Sequence, residues 1–152
     1  MGNVTPHSLD LVELQPVQKR VYTYVWERSP DFVAGWWGRS QPTTERYISI
    51  RREEVEVARC IYVLRDKDPT NVEFDILAFE VAQPLRGQGI GRAALSLIRE
   101  SYPGPRMTAL NDSIASSGFW ESLGWQLRAD EADLTSLLGG DPRERGTYVA
   151  PD

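Results

Sequence analysis

Cysteine and histidine are almost absent, with one of each, Cys60 and His7. A lone thiol forms no internal disulfide and no thiolate cluster, so no metal is expected. Cys60 lies in the apolar run Val57-Ala58-Arg59-Cys60-Ile61-Tyr62-Val63 and reads as core packing rather than a reactive thiol. His7 sits in a polar leader and reads as exposed and idle, so chemistry that needs an imidazole base has no better candidate. No apolar run is long enough to span a membrane, and the first residues lack a charged-then-apolar signal pattern. A cytoplasmic protein with no membrane partner is expected. A basic stripe is missing too. Seventeen Lys and Arg face 22 Asp and Glu, for a net charge of −5. That argues against a nucleic-acid partner and mildly favours a cationic one such as an amine. The tripeptide Gly-Lys-Ser/Thr does not occur, which excludes a P-loop.

What is present is ordinary for a globular chain: 41% hydrophobic and 26% charged residues in 152. This predicts a loose leader over residues 1–8 and one domain over 9–152, with no repeat or low-complexity tract. Leu9 to Leu14 alternates as a first strand. Pro16 suits the first turn of a helix, and Val17, Val21, Tyr24 and Val25 share one helical face, which predicts a helix ending near Ser29-Pro30. Asp31 to Pro42 is aromatic and irregular. Its Trp36 and Trp37 read either as core or as a substrate-facing wall. Arg46–Arg51, Val55–Leu64 and Val72–Val81 read as an antiparallel meander, with turns at Arg52-Glu53-Glu54 and Asp66–Asn71. A helix from about Gly89 to Ser101 stops before Tyr102-Pro103-Gly104-Pro105. Arg106–Leu110 follows as a strand, Ser116–Leu123 as a helix, and Trp125–Arg128 as a strand. Glu131–Leu138 reads as a short helix and Arg145–Ala150 as a last strand. The alternation predicts an α/β or α+β fold, a single sheet with helices packed on it.

The organising stretch is Gln83-Pro84-Leu85-Arg86-Gly87-Gln88-Gly89-Ile90-Gly91-Arg92. A strand runs into it and a helix runs out. Glycines at alternate positions let a backbone approach a ligand closely. The helix start behind them offers unpaired N–H groups and the positive end of a dipole. Together these make an anion site, usually for phosphate, and Arg86 and Arg92 add charge. A dinucleotide fingerprint can be laid on Gly89-x-Gly91-x-x-Ala94 with Asp112 as the ribose acid. It fits poorly, because Ala82 to Gln88 separate it from its strand and too little chain follows for further parallel units.

Arg86-Gly87-Gln88-Gly89-Ile90-Gly91 resembles the Arg/Gln-x-x-Gly-x-Gly/Ala motif of the GNAT superfamily of N-acetyltransferases. The resemblance takes in the preceding strand ending in Glu80-Val81. It also takes in Asn111 and the block Gly118-Phe119-Trp120-Glu121-Ser122-Leu123-Gly124-Trp125, and so covers about Val72 to Gln126. It implies a mixed, twisted, mostly antiparallel sheet of six or seven strands, flanked by helices and splayed between its fourth and fifth strands. It implies acetyl-CoA as co-substrate and an amine acceptor, with the chain acting as monomer or homodimer. The pyrophosphate would lie on the backbone of Arg86, Gly87, Gln88, Gly89, Ile90, Gly91 and Arg92. The pantetheine arm would pair with Val81 and Gln83, and Asn111 would contact it.

Acetyl transfer needs a neutral amine, a stabilised carbonyl oxygen and a proton for the departing thiolate. For the base, Asp75 falls where some family members carry a glutamate, and Glu80 lies nearer the expected acetyl group on the opposite strand face. The family's tyrosine acid is replaced by Trp120, whose indole N–H can donate a hydrogen bond but gives up no proton. Two readings follow: an N-acetyltransferase for a small molecule or peptide amine, or a non-catalytic acyl-CoA-binding domain that kept the loop.

Overall fold

A computed structural model describes residues 8–19, 22–26, 28–33, 44–110, 114–128, 136–141, 143 and 146–152. The described strands are β1 (Asp10–Leu14), β2 (Val17–Lys19), β3 (Tyr22–Tyr24), β4 (Arg46–Arg52), β5 (Val55–Asp68), β6 (Asn71–Val81), β7 (Arg106–Leu110), β8 (Gln126–Leu127) and β9 (Thr147–Val149). Two helices are described, α1 (Ile90–Ser101) and α2 (Ile114–Ser122). Seven strands form a sheet in the order β1-β4-β5-β6-β7-β9-β8, and β2 and β3 form a separate pair. The chain divides into two compact units, residues 1–63 with 78–103, and residues 64–77 with 104–152.

In the first unit, β4 pairs antiparallel with β1 and with β5. Ile48, Ile50, Ala58, Cys60 and Tyr62 are fully buried there. Burial pushes the Cys60 thiol pKa well up, which suits the packing role expected of it. The β4–β5 turn is two residues long, since Arg52 pairs with Val55. Such a turn wants positive φ at both central positions, and Glu53 (51°) and Glu54 (70°) supply it against their own preference. Helix α1 buries Ile90, Ala93, Ala94, Leu95 and Ile98, one face at helical spacing. It ends where the Tyr102 N–H caps the Ile98 carbonyl, just before Pro103.

In the second unit, β6 and β7 run parallel, from Glu73 opposite Arg106 to Ile76 opposite Ala109. The ladder stops there while β6 runs on to Val81, as expected of a sheet that splays between its fourth and fifth strands. Phe74 and Ile76 are buried on β6, with Met107, Ala109, Trp120, Trp125 and Tyr148 elsewhere in the unit. Each large side chain of this kind contributes about 1.5–3 kcal/mol by leaving water. β9 lies between β7 and β8 and pairs antiparallel with both.

One expectation is overturned. Val17–Lys19 and Tyr22–Tyr24 form not a helix but two antiparallel strands, with Val17 opposite Tyr24 and Lys19 opposite Tyr22. Valine, tyrosine and threonine dominate this segment, and β-branched and aromatic side chains suit a strand better than a helix. The i, i+4 spacing of Val17 and Val21 was a weaker signal than that composition. The region of Trp36 and Trp37, and most of the helix expected at Glu131–Leu138, lie outside the described residues.

Candidate active site

The stretch behind β6 folds as its glycines require. Gln83–Leu85 is one 3-10 turn, with Pro84 inside it. Gly87 (φ 78°) and Gly89 (φ 80°) both take left-handed angles, and Gly89 is the N-cap of α1. Among the described residues, a Cβ built at either glycine meets nothing within 4 Å. The first turn of α1 carries no acidic residue and its N-cap makes no side-chain hydrogen bond. The N–H groups there keep the positive end of the dipole uncompensated by a carboxylate. Ile90 and Gly91 are buried in that turn, whereas Gln88 and Arg92 are exposed. This cradle fits a phosphate group: bare backbone, no described neighbour where a side chain would stand, and a favourable field.

Arg86 behaves differently from its sequence reading. Its Nη2 lies 2.9 Å from Glu80 Oε2, and its Nε donates to the Val81 carbonyl at 3.2 Å. The charge expected to face an anion is drawn back onto the end of β6. Gln83 is engaged as well, its N–H donating to the Asp31 carbonyl at 2.8 Å.

From Glu73 to Val81 burial along β6 alternates except at Glu73, which is buried, and Ala78, which is half-buried. Phe74, Ile76 and Glu80 are buried, while Asp75, Leu77, Phe79 and Val81 are half-buried on the other face. The two candidate bases therefore sit on opposite faces, and both are held. Asp75 Oδ2 accepts from Arg65 Nε at 2.9 Å, and its Oδ1 accepts from the Thr108 hydroxyl at 3.0 Å. Glu80, 8% exposed, accepts the Val33 N–H at 2.9 Å on the same Oε2 that meets Arg86. Both carboxylates thus already accept hydrogen bonds from this chain's own donors.

Trp120 belongs to the second unit and is buried. Its ring centroid lies 4.9 Å from that of Trp125 and 5.0 Å from that of Phe119. Asn111 lies outside the described residues. A groove of about 680 Å³ opens in the second unit beside Glu73, Arg106 and Arg128, and none of the site residues expected from the sequence lines it.

Two supporting side chains were missed. Arg59 is 3% exposed and bonds Glu56 at 2.7 Å, and its guanidinium carbon lies 4.1 Å from the centre of the Phe32 ring. Arg128 Nη2 meets both oxygens of buried Glu73. The first had a signal, a lone arginine inside an apolar run. The second had none, because its partner lies far off in sequence.

No family model and no curated protein matches the sequence. Solved structures do match. An acetyltransferase from Thermus thermophilus superimposes with TM-score 0.52 at 16% identity, over 72% of this chain and 66% of that one. This chain has the GNAT acetyltransferase fold. The protein of a KacTA–DNA complex matches with TM-score 0.52 at 10% identity, over 72% of this chain and 69% of that one. A protein from Desulfovibrio desulfuricans assigned to the GNAT family reaches TM-score 0.49 at 16% identity, over 72% and 68%. With the GNAT fold established, β6 and β7 are its fourth and fifth strands in sheet order.

Proposed function

We propose that this chain is an acetyl-CoA-dependent N-acetyltransferase acting on a primary amine of a small molecule or peptide. The glycine loop carries the proposal. Gly87 and Gly89 hold positive φ with no described neighbour where a side chain would stand, at the head of a helix whose first turn has no acid. In this reading the backbone of Arg86 to Arg92 holds the pyrophosphate. Val81 offers its backbone to the pantetheine arm, as an exposed strand edge offers amides to an extended partner. Gln83 contributes its place in the turn, since its N–H is already given to Asp31.

The bound thioester supplies an activated acetyl group. In the transfer a C–N bond forms as the C–S bond breaks, and the amine's proton is lost while the sulfur leaves as thiolate or gains one. Residues of this chain orient the two partners, which is where much of the rate of such a reaction arises. Asp75 and Glu80 remain the two candidate carboxylates on β6, Glu73 being paired with Arg128. Because both already hold donors, we assign proton removal to water and to the fraction of amine that is neutral at the working pH.

The test is Gly89→Asn. Asparagine tolerates the left-handed angle better than most residues, so the loop keeps its path while a side chain enters the cradle. CoA should raise the melting temperature of the wild-type protein and not of the variant. Equal protection of both overturns the site. CoA binding without thiol release on addition of any primary amine favours the non-catalytic alternative.

A further inference from the structure

Two ties join residues 31–33 to residues 80–86. The Val33 N–H donates to Glu80 Oε2 at 2.9 Å, and the Gln83 N–H donates to the Asp31 carbonyl at 2.8 Å. The same Glu80 oxygen receives Arg86 Nη2 at 2.9 Å, and Arg86 is the first residue of the glycine motif. Phe32 stands between the two ties. It is 8% exposed, and its ring lies against the Arg59 guanidinium, which is itself held by Glu56. A backbone amide and an arginine thus meet on one nearly enclosed carboxylate oxygen. Hydrogen bonds to a charged acceptor are stronger than neutral ones, and a low-dielectric setting strengthens them further. This is the geometry of a crosslink.

We infer that Glu80 is a positioning residue whose carboxylate transmits the ordering of the glycine loop to residues 31–33. The inference rests on the reading of that loop as the CoA phosphate site. A bound phosphate orders the backbone from Arg86 to Arg92. A fixed Arg86 fixes the Glu80 carboxylate, and the carboxylate fixes the Val33 amide. Val33, 59% exposed, lies near the start of Asp31 to Pro42, the aromatic stretch that the sequence reads either as core or as a substrate-facing wall. Loading the donor would therefore fix residues 31–33. Glu80 needs no contact with either substrate to do this.

Hydrogen exchange on the full chain tests the coupling, with CoA itself as the probe. Wild-type protein, Glu80→Ala and Glu80→Gln are compared without CoA and at saturating CoA. Glutamine keeps a carbonyl oxygen for the Val33 N–H and loses the charge that holds Arg86. CoA should slow exchange at Val33 about tenfold in the wild type and leave it unchanged in Glu80→Ala, with part of the protection restored in Glu80→Gln. A protein that binds CoA but shows the same Val33 exchange in all three forms overturns the coupling alone. Failure of the wild type to bind CoA overturns the reading of the loop. Should Glu80→Ala not fold, Arg86→Met at saturating CoA breaks the link from the other side. Loss of CoA-dependent protection at Val33 then supports the inference, and its retention overturns it.

Discussion

Arg128 Nη2 lies 2.8 Å from each carboxylate oxygen of Glu73, across 55 residues of chain. The Glu73 side chain is 7% exposed and that of Arg128 is 26% exposed. Removing one partner of such a pair leaves a charge enclosed without its counter-ion. Arg128→Met should lower stability by about 3 kcal/mol, measured by urea unfolding. Adding Glu73→Leu to that variant should recover part of the loss. A loss below roughly 1 kcal/mol for the single variant would place the pair among ordinary surface bridges.

The Glu53-Glu54 turn is strained by its residue types. Two non-glycine residues at positive φ cost on the order of 1 kcal/mol each or more, and asparagine followed by glycine fits the same angles. Glu53→Asn with Glu54→Gly should raise the urea midpoint, with a gain of about 1–2 kcal/mol. No gain would mean that the turn relaxes without strain.

Tyr62 and Tyr102 both donate to Glu13 Oε1, Tyr62 at 2.5 Å, and their hydroxyls lie 3.3 Å apart. Partial burial, then the bond to Glu13, pushes the Tyr102 pKa from 10.0 up to about 12, and Tyr62 is shifted further in the same direction. A raised pKa means that the folded state keeps a proton the unfolded state gives up first. The contribution to stability is therefore whole below pH 10 and is lost as pH rises toward 12 and beyond. Melting temperatures taken across that range should fall, and Tyr102→Phe should flatten part of the fall.

The held state of Asp75 and Glu80 bears on the pH dependence of acetyl transfer. If water takes the proton, turnover should climb with pH along the acceptor amine's own ionisation. Asp75→Asn and Glu80→Gln should each lower kcat by less than about tenfold, where loss of a true general base costs roughly 100-fold to 10,000-fold. A pH–rate profile whose acid limb disappears in one variant would assign the base to that residue.

Much of this architecture could be read from residue order. The meander from Arg46 to Val81 shows itself by alternation, and Arg106–Leu110 begins and ends where its flanking prolines, glycine and asparagine put it. The start of α1 was marked by glycines, because few other residues take their backbone angles. The pairing of Val17–Lys19 with Tyr22–Tyr24 escaped because valines four apart satisfy a helix and tolerate a strand. Within the site, the cradle was local and therefore legible. The engagement of Glu80 with Val33 was not, since it joins positions 47 apart and leaves no periodic trace. The turning of Arg86 toward Glu80 spans only six residues, yet charge alone could not say whether that arginine faced a ligand or its own strand.

The place of β9 has a consequence for how the protein is made. A ribosome delivers β7 and β8 well before Thr147–Val149, yet β9 is the strand that lies between them. Until Tyr148 has emerged, the edge of β7 at Thr108–Leu110 and the edge of β8 lack their partner. The second unit is thus obliged to finish folding late, with open strand edges that invite pairing with other nascent chains. Its yield in a cell should depend on translation speed and on chaperone supply more than its final stability would suggest.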